Sequence, residues 1–189
     1  FNKKFVKIYN ADILKFNIEK IECKNSIIIG NLPYNISSQI LVKIIKFKKW
    51  PPKFSDLIFM FQKELGEKIL SKYPSSNYGR LSILTNYRLN LIKDFQVSRN
   101  CFFPRPKVTS QVIHFQPKKN EMFKIKNLNN LEKVTNILFS NKRKMINKNL
   151  KKLLYIDEIN KIDHLNLNSR PSDLKPDYYY KITELYEKR

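Results

Sequence analysis

The sequence predicts an α/β domain on a mostly parallel sheet, followed by a small all-helical appendage. Short apolar runs alternate with amphipathic segments as far as Phe115, the pattern of strands joined by helices. Past Pro117-Lys118-Lys119-Asn120, a polar break, only helical periodicity remains. Two apolar runs, 91–97 and 108–115, have no helix between them and predict an antiparallel end to the sheet.

Residues 5–9 alternate like a strand, and Asn10-Ala11-Asp12 forms a polar loop at its carboxyl end. Taken alone, Asp12 reads as a helix cap or turn residue. Residues 27–30 are the next strand and lead into Asn31-Leu32-Pro33-Tyr34. Ser37 is the expected N-cap of a helix. Ile40, Leu41, Ile44 and Ile45 give that helix an apolar face, with Lys43, Lys46, Lys48 and Lys49 opposite or at its end. Pro51-Pro52 stops it. The unbroken apolar run 57–61 predicts a strand buried on both faces. Helices follow at 63–71 and 78–89, then the strand 91–97, the loop 98–106 and the strand 108–115.

In the appendage, Leu128, Leu131, Val134, Ile137 and Leu138 mark one helix. Met145, Ile146, Asn149, Leu150, Leu153 and Leu154 mark a second. A third has Pro176 near its first position and Tyr179, Ile182, Leu185 and Tyr186 along one side.

Composition narrows the function. With 42% hydrophobic residues in 189, a packed core is expected and disorder is not. The formal net charge is +21, and both parts of the chain are basic, which suits a polyanion such as nucleic acid. A general richness in Lys, Asn and Ile offers a compositional explanation of the same charge. Cys23 and Cys101 give no disulfide framework, and with only His114 and His164 no metal site is expected. No apolar run approaches membrane-spanning length. The start, Phe1-Asn2-Lys3-Lys4, has neither a signal-peptide layout nor an initiator Met, so the chain reads as a fragment.

Asn31-Leu32-Pro33-Tyr34 stands at the carboxyl end of a strand, where open α/β sheets bind ligands. An exocyclic amine on a nucleobase is a poor nucleophile because its lone pair is delocalised into the ring. Two acceptors aimed at its hydrogens, the Asn31 side-chain oxygen and the Leu32 carbonyl, draw that lone pair out of conjugation. Pro33 stiffens the loop, and Tyr34 offers a flat face for a flipped base. An ordinary strand-to-helix turn fits these four residues equally well.

The longer stretch Asn31-Leu32-Pro33-Tyr34-Asn35-Ile36-Ser37 resembles the amine-binding motif of the KsgA-type ribosomal RNA adenine dimethyltransferases. Phe102-Phe103-Pro104-Arg105-Pro106-Lys107-Val108-Thr109-Ser110 is similar to their second hallmark. Tyr78-Gly79-Arg80-Leu81-Ser82 and Gln62-Lys63-Glu64 match in the same order. The resemblance implies a class I S-adenosylmethionine-dependent methyltransferase fold, Rossmann-like and lacking its first strands. It implies a catalytic domain over 1–118 and a helical RNA-recognition domain over 119–189. Asn31, Leu32, Pro33, Tyr34 and Phe102 then act at the target amine, and Asp12, Ile13 and Asn31 meet S-adenosylmethionine. One of Phe102 and Phe103 is expected in the core, and alignment assigns the base to Phe102. Arg80, Arg105, Lys107 and the basic turn Lys142-Arg143-Lys144 are expected on RNA, with a merely solvated face as the alternative.

The implied reaction is N6,N6-dimethylation of adenosines near the 3′ end of small-subunit ribosomal RNA during ribosome biogenesis. The implied setting is a cytoplasmic monomer acting on immature small subunits, away from membranes. Two alternatives remain: a resistance-type enzyme acting on large-subunit RNA, and a non-catalytic nucleic-acid-binding relative such as a mitochondrial transcription factor. One departure stands out. The family's Gly-rich cofactor loop and ribose-binding acid should precede Asp12, yet the only glycines are Gly30, Gly66 and Gly79. In the family's sheet two strands lie between those matching 5–9 and 27–30. About the first quarter of the native protein is therefore expected to be absent. The fragment alone is expected to bind S-adenosylmethionine very weakly and to be inactive.

Overall fold

A computed structural model describes residues 5–21, 23–119 and 122–189; Phe1 to Lys4 and Asn120, at the polar break, lie outside them. Its elements run β1 (Ser26–Asn31), α1 (Ser37–Ile45), β2 (Phe54–Gln62), α2 (Lys63–Leu70), α3 (Arg80–Arg88), β3 (Leu89–Val97) and β4 (Ser110–Pro117). The appendage follows as α4 (Leu128–Phe139), α5 (Asn147–Leu150), α6 (Ile156–Ile159) and α7 (Pro176–Tyr186). The sheet order is β1-β2-β4-β3, with β1 parallel to β2 and β4 antiparallel to both its neighbours. The antiparallel end is as expected, and β4 inserts between β2 and β3.

Period-two alternation decides what each strand buries. Leu57, Phe59 and Phe61 of β2 and Ile113 and Phe115 of β4 are buried on one face, in one core with Ile40, Leu41, Ile44 and Ile45 of α1. The other face is open: Ile29 is 72% exposed and Phe95 52%, while Ile58 and Met60 are half-buried. The run 57–61 is thus not covered on both sides as expected. It is apolar throughout, but its two faces differ in burial. On the open face Asp56 is bonded by the Ser55 hydroxyl, by Gln116 Nε2 at 2.8 Å and by His114 Nε2 at 2.6 Å; these bonds lower its pKa to about 2.

Residues 6–10 form no strand and are exposed. A strand needs a ladder partner, and β1 pairs only with β2, so this segment's alternation has nothing to register against.

The appendage shares the core. Tyr180 of α7 donates its hydroxyl to Ile83 O of α3 at 3.0 Å, and its ring meets Tyr87 at 5.0 Å and Phe123 at 5.4 Å. Burial pushes this phenol's pKa up, so it stays a donor. Near the break, Trp50 Nε1 donates to Lys118 O at 2.9 Å.

Arg88, only 7% exposed, joins α3 to the end of α1. Its Nη1 donates to Ile45 O and Phe47 O, both at 2.7 Å, and its guanidinium lies 4.5 Å from the Trp50 ring centroid. Arg88→Ala is expected to cost about 3 kcal/mol, because it strands two buried carbonyls and empties a filled site. Urea unfolding measures this; a loss below about 1 kcal/mol would contradict it.

Candidate active site

Strand register brings two distant stretches of sequence to one end of the sheet. Asn31, the last residue of β1, pairs with Met60, which pairs with Val112 of β4. One step further, Ser110 opens β4 opposite both Gln62 of β2 and Val97 of β3. The loop after β1 and the loop between β3 and β4 therefore leave the sheet on the same side. A hydrogen bond joins them: Tyr34 Oη lies 2.7 Å from Ser110 Oγ. Thr109 O also accepts from Lys63 N at 2.9 Å, tying the second loop to the start of α2.

Gly30 is needed at the corner. A Cβ there would fall 2.7 Å from Leu32 Cδ2 and 3.1 Å from the Phe59 ring, so its absence lets Leu32 tuck back over the strand. Ile36 N then donates to Pro33 O at 3.1 Å, closing the turn into α1. Ser37 does not cap the helix as expected. It is the first helical residue, and its hydroxyl donates back to Tyr34 O at 3.1 Å, fixing the tyrosine's backbone. The Asn31 side chain is exposed and makes no hydrogen bond among the described residues, and Leu32 lies just past the end of the ladder. Among the described residues, neither the Asn31 side-chain oxygen nor the Leu32 carbonyl accepts a hydrogen bond.

The second loop turns once through a 3-10 helix, Arg99–Cys101, capped by Ser98 Oγ accepting from Asn100 N at 3.2 Å. Phe102 follows, half-buried and extended at φ −121° and ψ 147°. Neither Phe102 nor Phe103 joins the core, against expectation: Phe103 is fully exposed. Arg105 and Lys107 are exposed beside it. The rings of Tyr34 and Phe102 do not contact each other.

Asp12 does form a turn: its Oδ1 accepts from Leu14 N at 2.9 Å and its carbonyl from Phe16 N at 2.8 Å. The surprise is what holds this loop. Lys43 Nζ donates to Ile13 O at 2.9 Å and to Leu14 O and Phe16 O, each at 2.6 Å. At the other end, Glu19 Oε1 accepts from Lys48 N at 2.9 Å. The Asp12 loop is thereby strapped along α1, the helix that leaves the Asn31 corner. The sequence placed Lys43 opposite the apolar face of the helix or at its end, and no local pattern signals the three carbonyls it meets.

The basic residues divide. Lys142, Arg143 and Lys144 are exposed in a turn closed by Lys144 N donating to Asn141 O at 2.9 Å, and none of them is in an ion pair among the described residues. Arg80 is half-buried at the start of α3 and lines a groove of about 910 Å³ along α1, together with Lys15, Lys43 and Lys46. Neither Asn31 nor Phe102 lines this groove. Asn31 and Pro33 stand exposed at the sheet end, on an open shelf. The expected helix from Met145 to Leu154 shortens to α5: past Leu150 the chain tightens into three-residue turns, Lys152 N donating to Asn149 O at 3.2 Å and Leu153 N to Leu150 O at 2.9 Å, and Ile146 N at its start donates to Ser169 O at 3.0 Å.

Comparison with known proteins identifies the family. The family model described as ribosomal RNA adenine dimethylase matches residues 1–188. Ribosomal RNA small subunit methyltransferase A of Pelagibacter ubique is 43% identical over 183 residues, 96% of this chain and 70% of that protein. Its namesake in Rhizobium etli is 40% identical over 149 residues, 78% of this chain, and the match spans only 54% of that relative's length. Among solved structures, a dimethyladenosine transferase from Plasmodium falciparum superposes with a TM-score of 0.71 at 28% identity, over 92% of this chain and 70% of that one. The 23S rRNA methyltransferase ErmE superposes at 0.65 with 19% identity, over 95% and 71%, a likeness of fold alone. The fold is that of class I methyltransferases.

Proposed function

The chain belongs to the ribosomal RNA adenine dimethylase family, and from that premise we propose that it carries the amine-binding part of an S-adenosylmethionine-dependent enzyme. That enzyme dimethylates N6 of adenosines near the 3′ end of small-subunit ribosomal RNA. The observation that carries the reading is the Tyr34–Ser110 bond, which holds the loop of Phe102 beside the corner of Asn31. The small-subunit assignment is supported by the names of the relatives in Pelagibacter and Rhizobium.

Asn31 Oδ1 and the Leu32 carbonyl accept the two amine hydrogens and turn the nitrogen lone pair out of the ring. Tyr34 and Phe102 stack on the extruded base, each contact worth about 1–3 kcal/mol against the few needed to unstack it. S-adenosylmethionine supplies an electrophilic methyl group. No side-chain base is required, since the methylated ammonium is acidic enough to lose its proton to water. The residues present fit one part of that cofactor: Asp12 uses one carboxylate oxygen in its own turn and keeps Oδ2 for an adenine amine, with Ile13 beside it. Asn31 serves the other end. Lys43 holds the Asp12 loop along α1.

These 189 residues hold no Gly-rich loop and no acidic residue ahead of Asp12. Calorimetry on the 189 residues is therefore expected to show S-adenosylmethionine binding weaker than micromolar. A chimera with the amino-terminal part of the Pelagibacter relative is expected to restore it and, given a labelled methyl donor and immature small subunits, to label small-subunit RNA. Label in large-subunit RNA would favour the resistance-type reading. RNA binding without label would favour a binding module.

A further inference from the structure

We propose that Phe103 is a wedge that enters the RNA base stack beside the target adenosine and holds the gap open while that base is out. This rests on the reading above and adds a residue that the amine chemistry does not use.

Phe103 is 102% exposed, and no large apolar side chain among the described residues is more so. It is exposed because of where its neighbour points. Phe102 has extended backbone, φ −121° and ψ 147°, and successive side chains of an extended chain face opposite ways. Phe102 turns inward and is half-buried; Phe103 turns out. The two adjacent rings thus serve different spaces, one the shelf and the other the solution beyond it.

The outward ring is presented firmly. Pro104 and Pro106 fix their own φ and restrict the residues before them, Phe103 included. The loop is shaped at its start by its own turn, Cys101 N donating to Ser98 O at 3.0 Å, and is closed at its end by the Tyr34–Ser110 bond of 2.7 Å. That bond ties the loop to the Asn31 corner.

Its surroundings select the partner. Residues 98–109 contain Arg99, Arg105 and Lys107, all exposed, and no acidic residue. A bare aromatic ring among cations suits a polyanion whose interior is apolar and stacked. Double-helical or stacked RNA has that character, and aromatic and apolar side chains are inserted between base steps by proteins that distort nucleic acids. Unstacking the target base leaves a slot of ring thickness, and a ring on the same loop as Phe102 stands next to it.

The test uses the chain and a stem-loop from the 3′ end of small-subunit RNA, with 2-aminopurine placed at each loop adenosine in turn. At saturation the wild-type chain is expected to raise the fluorescence at one position several-fold. Phe103→Ala is expected to lower that rise about tenfold at saturating protein, with Phe103→Trp restoring it. Melting curves of the three proteins should coincide, because the side chain packs on nothing. An unchanged rise in Phe103→Ala would overturn the proposal, as would a wild-type chain that binds without any rise. Failure of the wild-type chain to bind RNA at all would instead strike the functional reading, and the wedge with it.

Discussion

Asn31→Ala is expected to lower methyl transfer by roughly 10²–10³-fold while leaving RNA affinity within about twofold, the size of effect seen when one preorganised polar group is removed from a reacting centre. The Asn31 side chain contributes no hydrogen bond to the fold and is exposed at the end of β1, so its loss costs little stability. Its partner acceptor, the Leu32 carbonyl, survives the substitution but meets only one of the two amine hydrogens. The lone pair then stays largely in the ring. The assay is single-turnover methyl transfer in the chimera alongside an RNA-binding titration. Loss of RNA affinity in step with activity would mean that Asn31 holds the RNA rather than activates the amine.

Replacing Lys142, Arg143 and Lys144 together by Gln is expected to produce the opposite pattern. RNA affinity should fall on the order of a hundredfold at 0.1 M salt, since each phosphate contact contributes about 0.9 to the slope of log K against log salt. The slope itself should flatten by about 2 to 3. The three side chains are exposed on a tight turn, form no ion pairs among the described residues and pack on no core, so the substitutions should leave the melting temperature unchanged. An unchanged slope would reject the role, whatever happened to the affinity.

These expectations draw on residues that were legible to different degrees. Asn31, Tyr34 and Phe102 were readable because their types and spacing carry a family resemblance. Their meeting at one sheet end needed the register of β4 between β2 and β3. The strands themselves were readable wherever a partner existed. Residues 5–9 alternate as well as any strand, but alternation only proposes a ladder, and here no strand pairs with them. Burial on both faces of 57–61 was misread for a related reason: an apolar run shows what a strand tolerates, not what covers it. The helix expected through Leu154 stops at Leu150, where the hydrogen bonds tighten to three-residue turns, a change that the apolar spacing does not announce. Lys43 was hidden because a lysine at helical spacing looks solvated, whereas three carbonyls from a loop some 30 residues away enclose its ammonium.

In the proposed reaction one adenine is held by the Asn31 corner and the Phe102 loop together. A crystal structure of the chimera with a stem-loop containing the modified adenosine measures this directly. The expected result places N6 about 3 Å from both Asn31 Oδ1 and Leu32 O, with the Tyr34 and Phe102 rings against the extruded base. An adenine seated instead in the groove along α1, with N6 beyond reach of Asn31, would contradict it.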